Sequence, residues 1–261
     1  MPTKQILFIH GMFMTHRCWD GWVRSFEAQG YACTALPWPG RDQPVEALRR
    51  NHPDPAVGQL TFTQVVNHFS AAVSAMPEPP ILIGHSMGGL VTQVLINRGL
   101  GAAGVCIDPA PPQGVFTTAW SFLKANWVMI NPFISSATPY IQTFEEFQYA
   151  FVNCLSLADQ RAAYDQQVVP ESRRVPRETL TAAAKIDFAR PHAPLLILAG
   201  SSDHIIPASL NRSNYARYSA SPSTTDFIEF PGRNHYGLAS PGWEELASAV
   251  ADWLKKQSLS N

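Results

Sequence analysis

Short apolar runs alternate with longer stretches of helical periodicity through most of the chain. Residues 5–9, 31–36, 80–84, 105–108, 195–199 and 226–230 are such runs, most of them continuously apolar. That pattern predicts strands buried on both faces of a parallel sheet. Between them, 19–29, 62–76, 88–98, 208–218 and 243–256 repeat apolar residues at helical spacing. Thr61 or Thr63 offers an N-cap to the second of these helices, and Pro241 or Gly242 opens the last. The βαβα alternation predicts an α/β fold, a doubly wound, mostly parallel sheet of about six strands with helices on its faces.

One interval breaks the alternation. After the strand ending at Asp108, about 85 residues pass with no strand pattern, too long for a bare loop in a compact domain. Phe144, Phe147 and Phe151 recur there at helical spacing. The expected organisation is therefore a body of residues 1–109 and 191–261 with a helical insertion at 110–190. From Phe116 to Phe151, 10 of 36 residues are aromatic, against 28 of 261 in the whole chain, and Lys124 is the one charge between Ala110 and Phe144. Part of that aromatic content must pack the insertion onto the body. The rest is expected to present apolar surface to a ligand.

Composition excludes several classes. The chain is 46% hydrophobic and 15% charged, so it can bury a core and is not disordered. Nineteen basic and 20 acidic residues leave a net charge of −1, too little to hold nucleic acid or an anionic membrane by charge. No apolar run reaches the roughly 18–20 residues of a membrane span, and Ile6-Leu7-Phe8-Ile9 is too short for a signal-peptide core. These features fit a soluble cytoplasmic protein, a monomer or small homo-oligomer. Cys18, Cys33, Cys106 and Cys154 are scattered, which predicts reduced thiols. No Cys/His cluster has zinc spacing and no nucleotide-binding Gly-rich turn occurs, so no metal and no cofactor are expected.

The chemistry concentrates at Gly84-His85-Ser86-Met87-Gly88, a G-x-S-x-G motif between an apolar strand and a helical stretch. In that context the glycines permit a sharp turn that exposes the Ser86 hydroxyl at a helix N-terminus, where negative charge is stabilised. Gly84-His85-Ser86-Met87-Gly88-Gly89 resembles the nucleophile elbow of the α/β-hydrolase superfamily. The resemblance extends to Phe8-Ile9-His10-Gly11-Met12, Gly200-Ser201-Ser202-Asp203 and Gly232-Arg233-Asn234-His235, and so covers the chain outside the insertion.

That resemblance implies a division of labour. Ser86 is the nucleophile and His235, alone among eight histidines in the loop after the last strand, is its base. Asp203 is the acid that orients His235, with Asp108, at the end of an earlier strand, as its rival. The backbone N–H groups of Met12 and Met87 form the oxyanion hole, and Phe13 is the next candidate after Met12. An insertion at this point in similar proteins folds as a helical cap over the site. Phe13, Trp120, Phe122, Trp127 and Phe133 are the expected substrate-binding residues. Trp38-Pro39-Gly40-Arg41-Asp42 reads as a structural turn in which Arg41 pairs with Asp42. The implied function is hydrolysis of a carboxylic ester, lactone or thioester of a small to medium apolar molecule through an acyl-enzyme. A lyase or cofactor-free oxygenase of the same fold, or a ligand-binding receptor of low turnover, uses the same residues differently.

Overall fold

The most continuously apolar strands end up in the middle of the sheet. The computed structural model describes residues 4–259. Six strands, β1 (Gln5–Ile9), β2 (Ala32–Leu36), β3 (Ile81–His85), β4 (Ala103–Ile107), β5 (Leu195–Gly200) and β6 (Thr225–Phe230), form one sheet in the order β2-β1-β3-β4-β5-β6. Every adjacent pair is parallel; Ile83, for example, lies between Phe8 and Val105. All residues of β3, β4 and β5 are buried, whereas the edge strands β2 and β6 alternate or stay half-buried and carry the polar Thr34, Asp226 and Glu229. Central strands lie between two layers of helices, so both their faces must be apolar.

Eleven α-helices accompany the sheet among the described residues. Helix α1 (Asp20–Glu27) follows β1. Helices α2 (Val45–Arg50), α3 (Pro55–Gln59) and α4 (Phe62–Ser74) follow β2, and α5 (Met87–Asn97) follows β3. The pattern had predicted no element at 45–59; α2 and α3 are each a turn or two, too short to display a period. Thr61 caps α4: its hydroxyl accepts the Gln64 N–H at 3.2 Å and the Gln64 side chain accepts the Thr61 N–H at 2.9 Å. Thr63 instead donates to Glu178 through its N–H and hydroxyl, both at 2.8 Å.

Residues 108–194 contribute no strand to the sheet. They carry α6 (Trp120–Ile130), α7 (Phe144–Ala150), α8 (Leu157–Gln167) and α9 (Arg174–Glu178), before α10 (Ala208–Arg217) and α11 (Glu244–Lys256) close the chain. Phe147 and Phe151, stacked at 4.9 Å, are buried against the body, and the Tyr236 N–H donates to the Phe151 carbonyl at 3.1 Å. The helical aromatic row there does pack one part of the chain on the other. Cys18, Cys33, Cys106 and Cys154 are all free thiols. Among the described residues, no helix is long and apolar enough to cross a membrane.

Arg41 does not pair with Asp42. Its guanidinium is buried and bonds the carbonyl of Pro170 and the side chain of Glu171, 130 residues further along the chain. Glu171 is fully buried, exchanges backbone hydrogen bonds with Tyr140 at 2.7 and 2.8 Å, and accepts the Ser172 N–H at 2.8 Å. A neighbouring carboxylate on a solvated turn could not offset burial of the guanidinium as a fully desolvated, multiply bonded one does. Glu171→Ala leaves that charge buried without its partner and is expected to cost about 3–5 kcal/mol of stability. Urea unfolding measures it; Arg41→Met combined with Glu171→Leu should recover most of the loss, because no unpaired charge remains.

Candidate active site

The turn from β3 into α5 is determined by close backbone contacts. A Cβ on Gly84 would stand 2.2 Å from the Gly88 carbonyl oxygen, and one on Gly88 would stand 2.2 Å from that of Ile9. Only glycine lets α5 approach the sheet so closely. Between them Ser86 adopts φ 56°, ψ −120°, in the left-handed half of the map that side chains disfavour. The Ser86 N–H donates to Ile107 and its carbonyl accepts from Ala110, both at 2.9 Å, so neighbouring main chain holds the strained residue.

The Ser86 hydroxyl meets His235 Nε2 at 2.9 Å, and His235 Nδ1 meets Asp203 Oδ2 at 2.6 Å. All three residues are buried. Asp203 Oδ1 accepts the N–H groups of Ile205 at 2.7 Å and Ile206 at 2.9 Å. With a carboxylate on Nδ1, the ring proton sits there and the Nε2 lone pair faces the hydroxyl. Burial pushes the imidazole of His235 down from 6.5 to about 3, so it is neutral and able to accept a proton. His85 Nε2 donates to the His235 carbonyl at 2.8 Å, and the Phe151 ring stands edge-on to the His235 ring at 5.1 Å.

Asp108, the rival acid, lies just past β4 at φ 44° and not inside the strand. Its Oδ1 accepts the Gly200 N–H at 2.7 Å. A carboxylate oxygen of Asp108 and ring nitrogens of His85 and His235 lie within 4.8 Å of one another. Yet both nitrogens of His235 are already engaged, by Ser86 and Asp203. Burial, the charge of Asp203 and a hydrogen bond to it raise the Asp108 carboxyl well above the usual range. Burial also holds Asp203 well above the usual range, with the N–H groups of Ile206 and Ile205, the nearby His204 and the Asp108 hydrogen bond offsetting part of the rise. Of two buried carboxyls in contact, only one can ionise. The two N–H groups and the imidazole around Asp203, against one N–H at Asp108, favour the charge on Asp203 over Asp108.

The hydroxyl opens into a chamber of about 50 Å³ lined by Met12, Phe13, Met87, Ala110 and Phe151 on the body and α7 side, and by Ala125, Asn126 and Met129 of α6. Met87 is the first residue of α5, and Met12 follows the His10-Gly11 turn. Neither N–H meets a protein acceptor among the described residues. The Phe13 N–H is turned away, towards Glu171 Oε2 at 3.4 Å, with Phe13 at φ 61°. His10 supports this turn: the Trp38 N–H donates to its Nε2 at 3.1 Å, so Nδ1 carries the proton given to the Gly11 carbonyl at 2.8 Å.

Three of the residues expected to bind substrate lie elsewhere. Trp120, Trp127 and Phe133 are 74%, 51% and 93% exposed and line no part of the chamber. At 100° per residue, Phe122, Ala125, Asn126 and Met129 share one face of α6, whereas Trp120, Lys124 and Trp127 share the opposite face. Phe133 lies beyond the helix. Phe122 borders an adjoining groove with Met87 and Asn126. Sequence reasoning had passed over Ala125, Asn126, Met129, Ile205 and Ile206. The last two directly follow Asp203, a position that itself marked them; the α6 residues carried no chemical signal, only helical phase.

The chain and its fold resemble known proteins. The chain is 24% identical to the PhaC subunit of a poly(3-hydroxyalkanoate) polymerase from Haloferax mediterranei over 68% of its own length, and it spans only 44% of that relative. Its fold matches polyneuridine aldehyde esterase with a TM-score of 0.68 at 16% identity, covering 96% of this chain and 99% of that one. It likewise matches a pyrethroid hydrolase from Sphingobium faniae JZ-2 with a TM-score of 0.67 at 17% identity, covering 97% and 98%. A family model described as the alpha/beta hydrolase family matches residues 6–249, nearly the whole of the sheet and the site together, and the chain belongs to that family.

Proposed function

We propose that this protein is a serine hydrolase that cleaves a carboxylic ester, lactone or thioester of an apolar substrate. The observation that carries this reading is the unbroken chain from the Ser86 hydroxyl through His235 to Asp203, ending in a chamber beside two free amides. His235 Nε2 takes the hydroxyl proton as Ser86 Oγ attacks the carbonyl carbon. The carbonyl oxygen gains the negative charge and turns towards the N–H groups of Met12 and Met87. Collapse breaks the bond to the leaving oxygen or sulfur, which takes the proton from His235 and leaves an acyl group on Ser86. Water then gives its proton to His235, attacks the acyl carbon and releases the acid, and Ser86 regains its proton.

Residues 110–190 act in this reading as a cap over the body formed by 1–109 and 191–261, because α6 and Phe151 supply one wall of the chamber. The mostly apolar lining carries no charged side chain and so favours uncharged substrates. The names of the two structural neighbours, an esterase and a pyrethroid hydrolase, point the same way. A lyase that enlists Lys124 is disfavoured: its ammonium lies over the Tyr149 ring at 3.7 Å, beside a separate surface cavity.

Ser86→Ala and His235→Ala should each lower kcat/KM for a responsive ester by about 10⁴-fold or more with the fold intact. A phosphonate should label Ser86, as mass spectrometry would record. Turnover retained by folded Ser86→Ala would sink the reading.

Asp203→Asn should cost about 10⁴-fold, since the amide presents the wrong partner to His235. Asp108→Asn should cost less than about tenfold, because an amide replaces a carboxyl that is already neutral. Steady-state kinetics of the two variants decides; the reverse order would make Asp108 the working acid.

Activity and stability should part in acid. Folded His235 stays neutral between its ordinary 6.5 and about 3, so the acid limb of kcat/KM should lie below pH 6.5. His10 is likewise lowered to about 3 by burial, and His85 lies well below 6.5. The unfolded chain binds those protons near pH 6.5 and the folded chain does not, so stability falls as pH drops through that value. Initial rates and thermal unfolding between pH 7.5 and 5 test both; a Tm that rises on acidification would contradict the assignment of neutral buried imidazoles.

A further inference from the structure

Beside the chamber runs a second cavity of about 250 Å³, fivefold larger. Met87, Ala110, Asn126, Pro176 and Ile206 line both, so the two spaces adjoin beside the residue after Ser86. Phe122, Val115 and Ile130 line the rest of the groove together with Gln113, Phe116 and Leu180. No charged side chain lines it. Phe116 and Leu180 are 82% and 71% exposed, so the far end opens to solvent.

The chemistry at Ser86 orients a substrate between the two spaces. The leaving oxygen must reach His235 Nε2 to collect a proton. Phe151, packed on the His235 ring, lines the chamber and not the groove. The leaving group therefore occupies the chamber, where 50 Å³ admits only a small one. The acyl side then points past Met87 into the groove.

We propose that the groove from Met87 to the Phe116–Leu180 mouth binds the acyl portion of the substrate as a linear apolar chain whose end emerges into solvent, the alcohol being a small group held in the chamber. This assignment rests on the hydrolase reading above. An open end sets no upper limit on acyl length. Each methylene inside the groove should raise kcat/KM by up to about fourfold, and methylenes beyond the mouth should add little. A closed pocket would give an optimum and then a fall.

Two measurements test it. The first is kcat/KM for methyl esters of linear acids from acetate to palmitate, beside acetate esters of linear alcohols of the same lengths. The expected result is a rise and then a plateau in the methyl ester series, with the long-alcohol acetates at least about tenfold poorer than the matching methyl esters. The second is calorimetric binding of the same methyl esters to Ser86→Ala, which needs no turnover. Affinity should climb with acyl length and level off. Gln113→Trp, an exposed mouth position, should lower the long-to-short ratio at least about tenfold in both assays.

The outcomes separate the two readings. Length-dependent binding to Ser86→Ala without any hydrolysis by the native protein would keep the groove and overturn the hydrolase. Hydrolysis with a gain on the alcohol side, with indifference to acyl length, or with a sharp fall beyond an optimum would overturn the groove and keep the hydrolase.

Discussion

The contact on which the site depends is the approach of α5 to the sheet at Gly88, where no side chain fits between helix and the carbonyl of Ile9. That approach compresses the turn out of β3 until Ser86 must adopt a left-handed conformation. Strain of about 1–3 kcal/mol at such a residue persists only where its surroundings over-determine it. Here the main chain of Ile107 and Ala110 grips both sides of Ser86, and α5 itself is buried along nearly its whole length. The strained turn is thus supported by the most deeply buried part of the core. Its result is a hydroxyl aimed away from the sheet and an unpaired N–H at Met87, two features of one backbone path.

The second half of the site comes from much later in the chain. His235 and Asp203 lie on loops after β6 and β5, and the parallel register brings the carboxyl ends of all these strands to one edge. Such an edge is where open α/β sheets bind ligands. Asp108, at the end of β4, falls on the same edge and is drawn into the same buried cluster. Two carboxyls there need only one charge, and the backbone decides which: Asp203 receives two N–H groups and His235, Asp108 receives one N–H. The Arg41–Glu171 pair adds a further tie. By taking the Phe13 N–H, Glu171 fixes the loop that presents Met12.

Much of this was legible in the sequence because it rests on short-range rules. Continuous apolar runs marked β3, β4 and β5, and the glycines at 84 and 88 marked the turn. The order Ser86, Asp203, His235 marked the residues that the fold brings within hydrogen-bonding distance. What was not legible depends on distance along the chain or on helical phase. Arg41 has Asp42 beside it but finds Glu171, 130 residues away, because burial demands a partner that is itself desolvated. Asp108 and Asp203 look equivalent until the donors around each are known. The short helices α2 and α3 have no period to read.

The phase of α6 has a physical cause of its own. Apolar residues lie on both faces of this helix: Trp120 and Trp127 are exposed, whereas Met129 is buried and Phe122, Ala125, Val128 and Ile130 pack half-buried against the core. Polar contacts add to that packing. Arg173 donates to the carbonyls of Val128 and Thr138, and Arg177 to those of Met129 and Asn131, so two cations cap the carbonyl end of the helix. Asn126 adds a hydrogen bond to the Ile205 carbonyl at 3.1 Å, tying α6 to the loop that carries Asp203. These bonds and the apolar inner face together set which side of the helix meets Ser86. Turned the other way, the helix would place its tryptophans over the hydroxyl and fill that space. Tied at its carbonyl end and through Asn126, it keeps small and unbranched side chains over the chamber and leaves room for a substrate.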